Sequence, residues 1–174
     1  ARNKDAFVLK VQPDGNVGPE SILLDRASLA SQATAPIVSP LEMSGHGRDL
    51  LRVGKKLLAL QPLAKQKVHP NDSVLGAFRD DTDGMGLNIS YAELIEQAFV
   101  ADWWNSAQLV NEEFLPLTDP VSGDPLTDPE NLPAGITGDV FNMKEANFSL
   151  YWGLAIMLYE ATLISDDSPF DQWR

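Results

Sequence analysis

Cysteine is absent from the 174-residue chain. Its absence excludes disulfide bonds, thiolate metal sites, cysteine nucleophiles and the C-x-x-C-H motif that attaches a c-type haem. Long apolar runs are absent as well, and without a run of about 18 such residues the sequence predicts no membrane-spanning segment. No signal peptide is visible and the chain begins with Ala1 rather than Met, so we interpret it as processed, truncated or cut from a longer product.

Basic residues are scarce: 13 Lys and Arg oppose 25 Asp and Glu, which gives a formal net charge of −12. Phosphate binding needs clustered basic side chains, so this balance argues against a nucleic-acid partner and against an anionic membrane surface. A basic redox partner, or simple solubility, fits the charge better. The hydrophobic fraction of 44% and the length are those of one globular domain with its own core.

Local patterns divide the first two thirds of the chain into two parts. Residues 1–26 contain a β-rich stretch, a Pro-Asp-Gly-Asn turn and a second short apolar run, which predicts a hairpin. Residues 27–111 are predicted to contain helices over 27–33 and 48–60, and a third that begins at the Ser90/Glu93 capping box and runs to about residue 101.

The last third divides into a polar part and an apolar part. Residues 112–142 are rich in Pro and Asp, which predicts a long surface loop. Residues 143–174 are predicted to form a buried helix and its exit, because a helix that is apolar on most sides must be covered on most sides. Few other elements could cover it, so we expect more protein or a large flat ligand there. The predicted fold class is mainly α, with a small N-terminal β element and long loops.

Two blocks of the sequence resemble one known family. In residues 32–43, Gln32 is followed by Pro36 four residues later and by Glu42 and Met43 after ten. In residues 155–170, Tyr-Glu-Ala-Thr-Leu is followed by Ser-Pro-Phe and then by an Asp. Both blocks, in this order, resemble the bacterial di-haem cytochrome c peroxidases. The long gap between them is similar to that of the larger members, which include the rubber oxygenases.

The resemblance implies a cytochrome c-like di-haem fold, in which this chain is the central segment between the two haem-binding halves. It implies haem c attached by flanking sequence or by a partner chain, a small redox protein as electron donor, and a periplasmic or extracellular location. The implied acid–base for hydrogen peroxide is Glu42, and Gln32 would hydrogen-bond the peroxide or a pocket water. Pro36 would shape the haem face, and Met43 would pack beside it.

Departures from the family pattern leave two alternatives open. Residues 24–27 are Leu-Asp-Arg-Ala, whereas the family has Trp-Asp-Gly-Arg-Ala, with the Trp between the haems. One alternative is oxygen-dependent substrate oxidation, as in the rubber oxygenases. The other is a non-catalytic electron-transfer or scaffold subunit of a multihaem assembly, which the missing Trp and the long insertion favour. Glu42 favours the peroxidase over the oxygenase, whose apolar pocket would lack an acid.

Several polar residues are candidate metal ligands. The two histidines, His46 and His69, have no second ligand three or four residues away and are interpreted as solvent-facing. Three aspartates before Gly84 resemble the start of a calcium loop, although Glu93 is out of register with its end: Asp80, Asp81 and Asp83. Calcium is therefore kept as an alternative cofactor, beside a plain solvated loop.

The buried helix and the aromatic residues also have two interpretations. Glu160 is predicted to form a structural pair inside the protein, with a proton relay as the alternative. Four aromatic residues are predicted to belong to the core, with electron hopping as the alternative: Trp103, Trp104, Trp152 and Tyr159.

Overall fold

The computed structural model describes residues 7–25, 27–164 and 167–173. Within these ranges there are two strands, β1 (Phe7–Val11) and β2 (Val17–Ser21), and six α-helices. The helices are α1 (Ser28–Thr34), α2 (Leu50–Leu58), α3 (Tyr91–Ala98), α4 (Met143–Ala146), α5 (Phe148–Glu160) and α6 (Pro169–Gln172). Helices are the main regular element beside one small antiparallel sheet, in agreement with the coarse fold class.

The predicted hairpin is present, and its second strand begins at Val17. Gly15 has a φ of 85°, and the turn is closed by Gln12 N donating to Asn16 O at 2.8 Å. Pro19 is tolerated in β2 because it lies opposite Leu9 at a position where the two residues exchange no backbone hydrogen bond. The N–H and C=O of Leu9 consequently point away from β2, to the free edge of the sheet.

Helix α2 is amphipathic, as predicted, and runs nine residues within the expected 48–60. The Asp49 side chain caps it by accepting a hydrogen bond from Arg52 N at 2.8 Å. Leu51 and Gly54 form its buried face. Gly54 lies where a Cβ would be 2.5 Å from Phe148 Cβ, so glycine is what allows α2 and α5 to approach closely.

Helix α3 begins at the predicted capping box. Ser90 Oγ accepts from Glu93 N at 3.1 Å, and the Glu93 carboxylate accepts from Ser90 N at 2.8 Å. The hydrogen bonds that this carboxylate accepts from Ser90 N and from Ser90 Oγ hold the pKa of Glu93 below its usual value. The helix ends at Ala98, earlier than predicted, because Phe99 and Val100 are extended before a 3₁₀ turn at Ala101–Trp103.

Residues 112–142 contain no helix and no named strand. Both ends of this segment are fastened to α2 by Arg52, whose guanidinium donates to Glu112 at 2.6 Å and to Asp139 at 2.8 Å. Val110 and Phe141 exchange two backbone hydrogen bonds of 2.9 Å, which brings the segment back to its starting point. The loop is therefore closed at its base, although its tip is exposed.

The helix predicted within residues 143–174 is divided into α4 and α5 at Asn147. Asn142 and Glu145 form a capping box at the start of α4. Two clusters of buried side chains lie on either side of this division. The first contains Leu9, Val17, Leu51, Val110, Phe141, Met143 and Ala146, and the second contains Val8, Ile95, Leu150 and Tyr151.

Candidate functional site

The first block of the resemblance forms the end of α1 and a compact turn after it. Pro36 begins a 3₁₀ helix, and its carbonyl accepts from Met43 N at 3.3 Å. Ser39 O accepts from Glu42 N at 3.1 Å and from Ser44 N at 3.0 Å. The backbone therefore folds Glu42 and Met43 back towards Pro36, which brings three of the four predicted site residues into one turn.

The side chains of this turn face outward. Leu41 is 95% exposed and Met43 is 69% exposed, with the exposed Glu42 between them, while Pro36 is half-buried. Gln32 is exposed on α1. The structure thus gives a surface with a carboxylate between two apolar side chains, rather than an enclosed pocket formed by this chain.

Helix α1 packs directly on α5, next to the second block. Trp152 Nε1 donates to Ala33 O at 2.9 Å, one residue from Gln32. Gly153 allows the close approach, since a Cβ there would lie 3.3 Å from Ala30 O and from Thr34 Cγ2. The two blocks, separated by more than a hundred residues in sequence, are therefore connected in space through α1 and α5.

The end of α5 and the residues directly after it, 158–164, are exposed and largely apolar. Leu158 is 62% exposed and Ile164 is 75% exposed. Tyr159 and Glu160 are exposed as well. The predictions of a buried Glu160 and a core Tyr159 are therefore wrong for this chain by itself, because no described segment covers this end of the helix. Ser165, Asp166 and Arg26, which belong to the sequence blocks discussed above, lie outside the described residues.

An apolar cavity of about 280 Å³ lies between α2, α3 and α5. Its walls include Leu57 of α2, Leu94 and Ile95 of α3, and Trp152 and Ile156 of α5. The sequence predicted these helices but not the space between them, since that space depends on how far apart the helices are held.

A buried asparagine at the start of α5 connects this helix with β1 and with the 3₁₀ turn at Ala101–Trp103. The sequence analysis did not identify it. Asn147 Oδ1 accepts from Leu9 N at 2.8 Å, and Nδ2 donates to Leu9 O at 2.7 Å and to Trp103 O at 2.8 Å. Tyr151 Oη also donates to Trp103 O at 2.5 Å, and burial raises the pKa of this phenol above its ordinary value. At the free edge of β1, the Asn147 amide bonds to both backbone groups of Leu9, as a neighbouring strand would.

Trp103 and Trp104 pack against the second buried cluster. Trp104 Nε1 donates to Phe99 O at 2.9 Å, and the Lys144 ammonium lies 5.1 Å above the Trp104 ring. Lys10 lies 5.5 Å from the Trp103 ring, and both tryptophans are half-buried. Their contacts hold the helices together, as the core interpretation predicts for Trp103, Trp104 and Trp152.

The candidate metal ligands are occupied by local contacts or lie apart. Asp80 and Asp83 accept from the backbone N–H groups of Thr82 and Met85, both at 2.8 Å, and Asp81 pairs with Arg79. His46 and His69 are exposed. In the part of the chain that the structure describes, no three His, Asp or Glu side chains are grouped so that they could hold a metal ion.

None of the helices in the described ranges has the length and apolar character to cross a membrane. Comparison of the chain with family models, with curated proteins and with solved structures found no match. The resemblance to the di-haem peroxidases consequently rests on the two sequence blocks.

Proposed function

We propose that this chain supplies the distal wall of a peroxidatic haem pocket in a di-haem c-type cytochrome oxidoreductase. The haem is held by flanking sequence or by a partner chain, and the complex reduces hydrogen peroxide with electrons from a small redox protein. The observation that supports this most is the turn at residues 36–44, which presents Glu42 between two exposed apolar side chains. A periplasmic or extracellular location follows from the same proposal.

The residues present fit one wall of a haem pocket and not an attachment site. The exposed Leu41 and Met43 offer the apolar surface that a flat macrocycle would cover, and Pro36 fixes the backbone beneath them. Covalent attachment requires cysteines, and the chain has none. The exposed apolar end of α5 is a second surface that a haem-bearing partner would cover.

The chain's own chemistry in this proposal is proton transfer. A bound haem would supply the redox centre through which two electrons from the redox protein convert hydrogen peroxide and two protons to two water molecules. The Glu42 carboxylate would take a proton from one peroxide oxygen and return it to the other oxygen, which leaves as water. Gln32 would hydrogen-bond the peroxide or a pocket water, and Leu41 and Met43 would exclude bulk water once the haem covers them.

An absorption spectrum of natively purified material, followed by intact mass under denaturing conditions, tests the proposal. The expected result is a Soret band in the preparation, this chain at its haem-free mass, and haem on a companion chain or on flanking sequence. Purification without haem and without a companion would overturn the catalytic proposal.

Peroxide turnover of the haem-containing complex then tests the role of Glu42. Glu42→Gln should lower kcat by about 10²–10⁴-fold, the usual contribution of a positioned acid–base. Glu113→Gln is the matched control, because Glu113 is also exposed and lies outside the block that resembles the family. Equal activities of the two variants would contradict the assignment of Glu42.

A further inference from the structure

The surface of the cavity between α2, α3 and α5 is formed by apolar atoms. Three of its lining side chains carry a polar atom, and none of these atoms lies on that surface: those of Tyr91, Tyr151 and Trp152. Tyr151 Oη donates to Trp103 O at 2.5 Å and Trp152 Nε1 donates to Ala33 O at 2.9 Å. A molecule in this space would therefore meet carbon and aromatic surface, and a charged or strongly hydrogen-bonding group would lose its hydration without compensation.

Contacts hold the aromatic side chains that line the cavity in place. Phe99 and Tyr151 meet edge to face with centroids 4.7 Å apart, and Phe148 stacks on Trp152 at 5.8 Å. Glu96 of α3 is paired with Lys144 of α4 at 2.8 Å. Because Tyr151 and Trp152 also bond to Trp103 O and Ala33 O, which do not line the cavity, these two rings are not free to turn into the space.

The volume indicates the size of the occupant. An apolar cavity of roughly 150 Å³ binds benzene, and pockets for drug-sized ligands begin at roughly 300 Å³. The 280 Å³ available here matches a molecule of one or two rings. Ala98 and Ala155 line the cavity and are both exposed, so they mark its mouth.

We propose that this cavity is a binding site for a small uncharged aromatic or alicyclic molecule. The site is separate from the turn that presents Glu42 and does not depend on the function proposed above. Its walls recognise the ligand by shape and by lack of polar groups.

Titration of the full chain with toluene, followed by methyl NMR, tests this proposal. The methyl signals of Leu94, Ile95 and Ile156 should shift saturably with toluene. Benzoate has a similar ring and a charge, and it should cause no saturable shift at these methyl groups. Non-saturable toluene shifts, or equal binding of benzoate, would overturn the proposal.

Larger side chains at the mouth of the cavity provide a second test of the proposed site. Ala155→Leu should weaken toluene binding by at least about tenfold, because the added carbons occupy the space where the ligand enters. Ala161→Leu is the matched control at an exposed position that does not line the cavity, and it should leave the affinity unchanged. Ala98→Leu fills the same mouth from α3, and thermal unfolding of each variant verifies that it is folded. Unchanged affinity in the folded mouth variants would place toluene elsewhere and reject the site.

Discussion

Residues 148–153 of α5 contact protein on almost every side, whereas residues 154–160 of the same helix are largely open to solvent and are hardly more polar. Helices α1 and α2 pack against the first half, and Val8 of β1 shares a buried cluster with Leu150 and Tyr151. Leu150 is only 9% exposed. The second half has Ile156 and Met157 partly covered and Leu158 exposed. One helix thus contains a core segment and an uncovered apolar segment in direct succession.

The difference between the two halves lies in their neighbours and not in their composition. Asn147 fixes the start of the helix to β1, and the α1 contact at Trp152 and Gly153 is close to the end of the covered part. Beyond it, the described chain supplies no comparable cover. An apolar helix therefore specifies that a cover is needed, but it does not specify whether the cover belongs to the same chain.

The largest expected effect comes from removing the anchor of the covered half. Asn147→Ala should reduce the free energy of unfolding by about 3–5 kcal/mol, because the Leu9 N–H and C=O lose their buried partner and Trp103 O loses one donor. Chemical denaturation measures the loss. Asn142→Ala, at the exposed N-cap of α4, is the control and should cost only about 1 kcal/mol. Similar losses in both variants would mean that the hydrogen bonds of Asn147 stabilise the fold no more than the helix cap at Asn142 does.

A matched pair of truncations tests the comparison directly. Leu150→Ala should cost about 2–4 kcal/mol, because it opens a cavity in the buried cluster. Leu158→Ala should change stability by less than about 0.5 kcal/mol in the isolated chain, because its side chain is 62% exposed. Urea unfolding at several protein concentrations measures the stability change of each variant. A large, concentration-dependent loss at Leu158 would show that a second copy covers this half in solution.

The sequence predicted those features whose causes are local. The Gly15 turn and the Ser90/Glu93 box each depend on residues within a few positions of one another, and both form as expected. Asn147 could not be found in this way, because its partner Leu9 is 138 residues away in the chain. The same reason applies to the exposure of Glu160, which depends on what packs against α5 and not on the pattern of α5 itself.

The sequence predicted which residues belong to the candidate site, but it did not predict how they are arranged in a turn. The resemblance to the di-haem peroxidases made Pro36, Glu42 and Met43 candidates, and backbone hydrogen bonds fold Glu42 and Met43 back towards Pro36. Their exposure is a tertiary property, because it depends on which surface the rest of the fold leaves open. The cavity between α3 and α5 is tertiary as well, since it results from helix spacing.

A smaller loss of stability is expected at the contact between α2 and residues 148–153 of α5. Replacing glycine by alanine inside a helix is normally worth about 0.5–1 kcal/mol of stability. Gly54→Ala should instead cost about 1–3 kcal/mol, because the new methyl group would overlap Phe148. Thermal unfolding measures the difference. Gly153→Ala meets its nearest neighbours at 3.3 Å and should cost less. A stabilised Gly54→Ala protein would show that α2 and α5 can separate freely.

A small effect at neutral pH, with a distinct dependence on alkaline pH, is expected at Tyr151. Tyr151→Phe removes one donor from Trp103 O, which retains Asn147, so the cost near pH 7 should be about 0.5–1.5 kcal/mol. Burial raises the pKa of this phenol above the ordinary value of 10.0. Its contribution is therefore complete below about pH 10 and is lost as pH rises towards the folded-state pKa, because the unfolded chain releases the proton first. Urea midpoints measured from neutral to strongly alkaline pH should converge for wild type and Tyr151→Phe, since all other titrating groups are common to both. Parallel curves would mean that the Tyr151 phenol ionises as easily in the folded protein as in the unfolded chain, and that the covered half of α5 is open to solvent after all.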